Sequence, residues 1–200
     1  VPSFDEPKFA QFIASLELKN FNYKELLVGR YQPLNTPPPE RLWHNIVPTV
    51  IVLDRLRDKF GAGIQLISGY RSEDYNDPVK SGNSGRAPGS THQAFSALDF
   101  KVTGKKPEEV KAQLRKWETN EWFYSPVWFN RVTERLSTGK KIQMGVLPQQ
   151  IDLGAIGGCY FQYRGYIKAY GVKFTHFDTR GITSSTPAQT GGFDYDEEAE

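Results

Sequence analysis

Ser90-Thr91-His92-Gln93-Ala94-Phe95-Ser96-Ala97-Leu98-Asp99-Phe100, set beside Phe174-Thr175-His176-Phe177-Asp178, decides how this chain is read. The end of the first stretch and the whole of the second read as strands, in which successive side chains point to opposite faces. In the first, Leu98 and Phe100 share one face and Asp99 the other. In the second, Phe174, His176 and Asp178 share a face, and Thr175 and Phe177 point the opposite way. A carboxylate on a covered face needs a partner, because an unpaired buried charge is costly. The chain has only three histidines, His44, His92 and His176, and two of them lie in these stretches. Two histidines and a carboxylate are the ligand types of catalytic metal sites, which keep a further position for water. Residue types and spacing leave two readings open: a metal cluster, or acids paired with basic residues beside structural histidines.

Working outward, the chain reads as mixed α and β. Phe9, Phe12, Ile13 and Leu16 recur at helical spacing in residues 7–18. Asn35-Thr36-Pro37-Pro38-Pro39 forms a stiff connector whose last prolines suit a helix start. Leu42, Ile46, Val50, Leu53, Leu56 and Phe60 continue a helical pattern, and Pro48 inside it predicts a kink or two consecutive helices. Gly61-Ala62-Gly63 ends that run, and Ile64-Gln65-Leu66-Ile67-Ser68 reads as a strand. Residues 81–90, rich in glycine and serine, form a loop leading to His92. Residues 97–102 are a strand, 107–118 a helix opened by Pro107 and followed by acids, and 142–147, 159–163 and 172–178 further strands. The tail after Ser184 is polar and finally acidic, and is expected to be mobile or partner-dependent.

Composition excludes more than it selects. Twenty-five basic and 23 acidic residues leave a formal charge of +2, which gives no general reason to expect a nucleic-acid partner. One cysteine, Cys159, rules out an internal disulfide framework and reads as a buried thiol. No apolar run is long enough for a membrane span, and the N-terminus lacks the basic-then-apolar pattern of a leader. His44, beside Trp43 in a helical stretch, reads as structural.

Ser90-x-His92 with Ala97-x-Asp99, a late His176 on a strand, and the upstream Ser68-Gly69-Tyr70-Arg71-Ser72 with Tyr75-Asn76 and Val79 together resemble the M15 zinc peptidases. These are D-Ala-D-Ala carboxypeptidases, dipeptidases and peptidoglycan endopeptidases of bacteria and phages. Phe177-Asp178-Thr179-Arg180-Gly181 is similar to the motif end of one branch. The resemblance implies an α+β fold, with a small antiparallel sheet carrying the metal and helices packed on its back. It implies one zinc ion on His92, Asp99 and His176. It also implies that Arg71 holds a substrate carboxylate or the reacting carbonyl oxygen. Ser90 is a turn residue or a substrate contact. The expected partner is the peptide part of bacterial peptidoglycan, with phage structural proteins as a second class, and the expected place of action is the cell wall.

Two features depart from the family pattern. Several members carry an acid three residues before the last histidine ligand, where this chain has Lys173. Asp178 is the nearby acid and is taken as the general base, with support of a metal ligand or of the fold as the alternatives. Residues 119–158, with Trp122, Phe123, Tyr124, Trp128 and Phe129, exceed what a compact member needs. The expected organisation is a helical arm and connector over 1–37, a peptidase domain over 38–181 and a tail over 182–200. The functional expectation is a zinc peptidase of the carboxypeptidase or endopeptidase type. Its rival is a non-catalytic wall-binding or structural module of a phage particle.

Overall fold

The computed structural model describes residues 4–86, 89–118, 120–126, 130–135, 141–146 and 159–184. Helix α1 (Glu6–Ala14) opens at Asp5, whose side chain accepts from the Lys8 amide at 3.0 Å, with Pro7 in the first turn. A short α2 (Tyr23–Leu26) is opened by a reciprocal capping box between Asn22 and Glu25. The Pro48 pattern resolves as two consecutive helices, a 3-10 helix (Glu40–Ile46) and α3 (Val47–Phe60), with Pro48 in the first turn of α3. Proline is harmless there, because the first amides of a helix have no intrahelical acceptor. Gly61 ends α3 in the left-handed conformation.

Strand β1 (Ile64–Ser68) leads into the short helices α4 (Glu73–Asn76) and α5 (Pro78–Ser81). The chain continues through β2 (Ala97–Val102), α6 (Pro107–Glu118) and β3 (Phe123–Ser125). It then forms β4 (Asn130–Arg135), β5 (Lys141–Val146), β6 (Cys159–Tyr170) and β7 (Phe174–Ser184). Five strands make one antiparallel sheet in the order β1-β2-β7-β6-β3, and β4 and β5 form a separate ladder. The sheet is small and curled, and helices cover one face of it, an α+β fold.

That covered face is the core. Leu98, Phe100, Phe177, Ile167, Tyr163, Phe161 and Phe123 from the sheet meet Val50, Leu53, Val110 and Leu114 from α3 and α6. Residues of the 1–37 arm enter the same core: Phe9 and Phe12 pack on Trp43, with ring centroids 4.9 and 5.7 Å away. Asn35 and Leu34 then clamp the segment after β1. The Ser72 amide donates to Asn35 Oδ1 (2.9 Å), and the Ser72 hydroxyl donates to the Leu34 carbonyl (2.8 Å). Phe123, from the aromatic 119–158 region, is a core residue of β3, whereas Trp122 and Tyr124 are exposed. Trp128 and Phe129, and the tail from residue 185 onward, lie outside the described residues.

Candidate metal centre

Strand register assembles the site on the face opposite the core. Ser68 of β1 pairs with Asp99 of β2, Asp99 pairs with His176 of β7, and His176 pairs with Lys168 of β6. Directly paired residues of antiparallel strands project to the same side, with Cβ atoms about 5 Å apart. One row across four strands therefore carries Ser68, Asp99, His176 and Lys168. Their neighbours Leu98, Phe100, Phe177 and Ile167 all point into the core.

His92 comes from the turn before β2. Phe95, buried and left-handed at φ 53°, closes this turn by donating its amide to the His92 carbonyl at 3.2 Å. A left-handed aromatic residue is uncommon and costs about 1–2 kcal/mol, so the surroundings must hold it. Asn45 Nδ2 donates to the Ala94 carbonyl (2.7 Å). The Thr49 hydroxyl donates to the Ser96 carbonyl (2.7 Å), and the Ser96 hydroxyl to the Thr91 carbonyl (3.2 Å). Gln93 Oε1 gathers the amides of Gly89 and Ser90 and the amide group of Asn76. Ser90 Oγ accepts from the His92 amide at 3.3 Å, which makes Ser90 a brace of the turn.

His92, Asp99 and His176 are all buried, and each offers a ligand atom within 4.8 Å of the others. His92 Nδ1 lies 2.7 Å from the Gly69 carbonyl oxygen. A carbonyl only accepts, so Nδ1 carries the hydrogen and Nε2 presents a lone pair. That Nε2 is buried without a hydrogen-bond partner among the described residues, 3.3 Å from Asp99 Oδ2. Two acceptors facing each other at this distance are favourable only with a cation between or beside them. A carbonyl-tethered Nδ1–H with a bare Nε2 is also how metal-ligating histidines are generally oriented.

His176 sits between two carboxylates, with Nδ1 2.8 Å from Asp99 Oδ1 and Nε2 3.1 Å from Asp178 Oδ2. Burial alone would lower its pKa, but the bonds to Asp178 and Asp99 outweigh burial and push the imidazole up. Burial likewise opposes ionisation of Asp99. Its contacts with His176 and His92 prevail and hold it well below the usual carboxylate range. His92 is pushed down, first by burial and then by the nearby Arg71.

Arg71 reaches the same centre: Nη2 donates to Asp99 Oδ2 at 2.7 Å and Nε to Ser68 Oγ at 2.9 Å. The acid–base pairing left open by the sequence is thus present, with Arg71 the cation beside the Asp99 oxygen that faces His92, but among the described residues no donor reaches the His92 lone pair. Asp178 lies behind His176, fully buried. Beside His176 it accepts from the Thr91 hydroxyl at 3.1 Å and from the Tyr166 amide at 3.4 Å. The Tyr166 amide arrives through a bulge between Arg164 and Tyr166 in β6. A side chain at Gly165 there would collide with the Asp178 carbonyl oxygen and lie 3.1 Å from the Phe177 ring. Lys173, where several relatives carry an acid, is exposed beyond the end of β6.

Sequence reasoning missed the Gly69 carbonyl, Thr91 and Tyr166. Carbonyl roles leave no residue signal, and the other two depend on the pairing of β6 with β7 and on the turn at 91–95.

Comparison with known proteins adds one match. The family model described as Peptidase M15 matches residues 19–128, just over half of the chain, and so takes in Arg71, Ser90, His92 and Asp99. No curated protein and no solved structure matches. His176 lies beyond the matched residues, yet the sheet brings it beside Asp99 and completes a buried His–Asp–His triad. The chain belongs to the peptidase M15 family of zinc metallopeptidases.

Proposed function

We propose that this protein is a zinc-dependent peptidase that cleaves the peptide part of bacterial peptidoglycan, with the ion on His92 Nε2, Asp99 and His176 Nδ1. The observation that carries the reading is the buried His92 Nε2, without a hydrogen-bond partner among the described residues and 3.3 Å from a carboxylate that already has His176 on its other oxygen. Two imidazole nitrogens and one carboxylate are a donor set that suits zinc. Family membership supports a peptidoglycan-related substrate, and the cell wall is then the place of action.

When bound, zinc supplies Lewis acidity towards the scissile carbonyl and lowers the pKa of water at the site. The chain's own residues do the rest. Arg71, half-buried with its guanidinium at the triad, holds a substrate carboxylate or the carbonyl oxygen on which negative charge develops. Ser90, half-buried at the start of the turn, is placed to meet substrate with its hydroxyl while its oxygen braces His92. Asp178 is assigned the task of orienting His176. A buried carboxylate occupied by His176, Thr91 and Tyr166 fixes the tautomer of the ring. It is poorly placed to carry a proton to a leaving amine, so the general-base role read from the sequence passes to positioning.

The test is mass spectrometry of peptidoglycan stem peptides digested with zinc-loaded and with chelated protein. New peptide termini that appear only with the zinc-loaded protein are expected. Identical digests would sink the proposal.

A further inference from the structure

The peptide groups on either side of Arg71 are held from the connector that precedes the 3-10 helix. Asn35 Nδ2 donates to the Tyr70 carbonyl at 3.2 Å, and the Ser72 amide donates to Asn35 Oδ1 at 2.9 Å. Those two groups are the planes that turn about φ and ψ of Arg71, the two soft dihedrals of its backbone. Fixing both sets the direction in which the Arg71 side chain leaves the chain. The Arg71 amide itself donates to the His92 carbonyl at 3.1 Å, so the segment is pinned between Asn35 and the turn that carries His92. Asn35 is held from its own side as well. Its Nδ2 also donates to the Gly29 carbonyl at 2.9 Å, and its amide donates to the Gln32 carbonyl at 3.0 Å. Leu34 before it is left-handed at φ 69° and exposed. That backbone is uncommon for a leucine and buries none of its apolar surface. What the conformation delivers is the Leu34 carbonyl, which accepts from the Ser72 hydroxyl at 2.8 Å.

The tip of Arg71 depends on that direction. From it Nε reaches Ser68 Oγ at 2.9 Å and Nη2 reaches Asp99 Oδ2 at 2.7 Å. A long side chain magnifies a small turn of its backbone at the far end, and a misplacement of about 1 Å at a reacting centre can cost about 10²-fold in rate. We propose that Asn35 is the positioning residue of Arg71: its side-chain amide sets the backbone from which the guanidinium reaches the metal centre. The connector is then a working part of the site. What Arg71 does to substrate rests on the peptidase reading, whereas where Arg71 is held does not. The arm has its own attachment to the core, since Phe9 and Phe12 pack on Trp43, whose Nε1 donates to the Pro38 carbonyl at 2.9 Å. Loss of the Asn35 bonds therefore loosens residues 70–72 without releasing the arm.

The test uses the zinc-loaded protein and two variants. Asn35→Ala removes both bonds. Asn35→Asp keeps the size and the acceptor for Ser72, but faces the Tyr70 and Gly29 carbonyls with an oxygen that cannot donate. The first readout is hydrogen exchange of the Arg71 Nε–H by nitrogen-edited NMR, its resonance identified by its absence in Arg71→Lys. Both variants should speed that exchange by about tenfold or more, while the backbone amides of β2 stay as protected as before. The second readout is a double-mutant cycle on wall-peptide hydrolysis. Asn35→Ala should lower kcat/KM by about tenfold, and by less than about threefold in an Arg71→Ala background, with zinc stoichiometry unchanged. Unchanged Arg71 exchange in both variants, or the same loss of kcat/KM with and without Arg71, would overturn the proposal. If the unaltered protein hydrolyses no wall peptide, the peptidase reading falls, and the exchange result decides for or against Asn35 by itself.

Discussion

Replacing Asp178 with Asn separates positioning from proton transfer, and the hydrogen bonds around it dictate the outcome. Among the described residues three donors converge on this carboxylate: Tyr166 N–H on Oδ1, and Thr91 O–H and His176 Nε2–H on Oδ2. An Asn has one acceptor oxygen. The Tyr166 amide cannot reverse, so the oxygen must stay on its side and the NH2 group takes the place of Oδ2. Thr91 can rotate its hydroxyl and accept. His176 can accept only by giving up the Nε2 proton, which puts the hydrogen of a neutral ring on Nδ1, the nitrogen 2.8 Å from Asp99. The ring then offers the centre a hydrogen in place of a lone pair. Loss of such an outer carboxylate typically weakens metal binding 10- to 100-fold, about 1.4–2.7 kcal/mol. The assay is zinc titration into metal-free protein by competition with a chelating dye, with circular dichroism to check the fold. Asp178→Asn should remain folded and bind zinc about 10- to 100-fold more weakly. It should recover much of its turnover when zinc is raised to saturation. Unchanged zinc affinity together with a turnover loss of about 10²-fold or more at saturating zinc would refute the reasoning and restore Asp178 as a base.

Other expectations concern the surroundings. Gly165→Ala should destabilise the fold by about 1–3 kcal/mol, because the new methyl meets backbone that cannot rotate away, and a thermal melt would show it. Arg71→Ala should reduce turnover by about 10²-fold or more while zinc remains bound, and Arg71→Lys should rescue little, since a point charge lacks the planar fork that spans Ser68 and Asp99. His44 is buried against Phe12 with neither ring nitrogen hydrogen-bonded among the described residues, and burial lowers its pKa from 6.5 to about 4. The unfolded chain therefore binds the proton more readily. The stability tied to a neutral His44 is complete above about pH 6.5 and is lost as pH falls towards 4, by up to about 3 kcal/mol. Urea melts across that window should show a slope that His44→Phe flattens.

The sequence made the triad legible because strand alternation is a local property. Asp99 between Leu98 and Phe100, and His176 before Phe177, declare their faces without knowledge of any partner strand, and register then sets them opposite one another. Helix boundaries were legible for the same reason, since Pro48 and Gly61 act on their own backbone. Asp178 shows the limit of that logic. Alternation correctly puts it on the face of His176, but it cannot tell a residue in front of the imidazole from one behind it. That depth depends on the bulge at Gly165 and on Thr91, which are distant in sequence. Asn35 was illegible for a related reason, because its bonds beside Arg71 exist only when the connector folds back on the end of β1. The same holds for Phe95, whose left-handed backbone has no signal in an apolar side chain.

The central claim is that His92, Asp99 and His176 form one zinc site. Its most direct test is calorimetric titration of zinc into metal-free protein, run in parallel on His92→Ala. The account predicts about one ion per chain in the unaltered protein, and loss of that binding in a variant that still folds. Binding that persists unchanged in His92→Ala, or no binding by the unaltered chain, would contradict it.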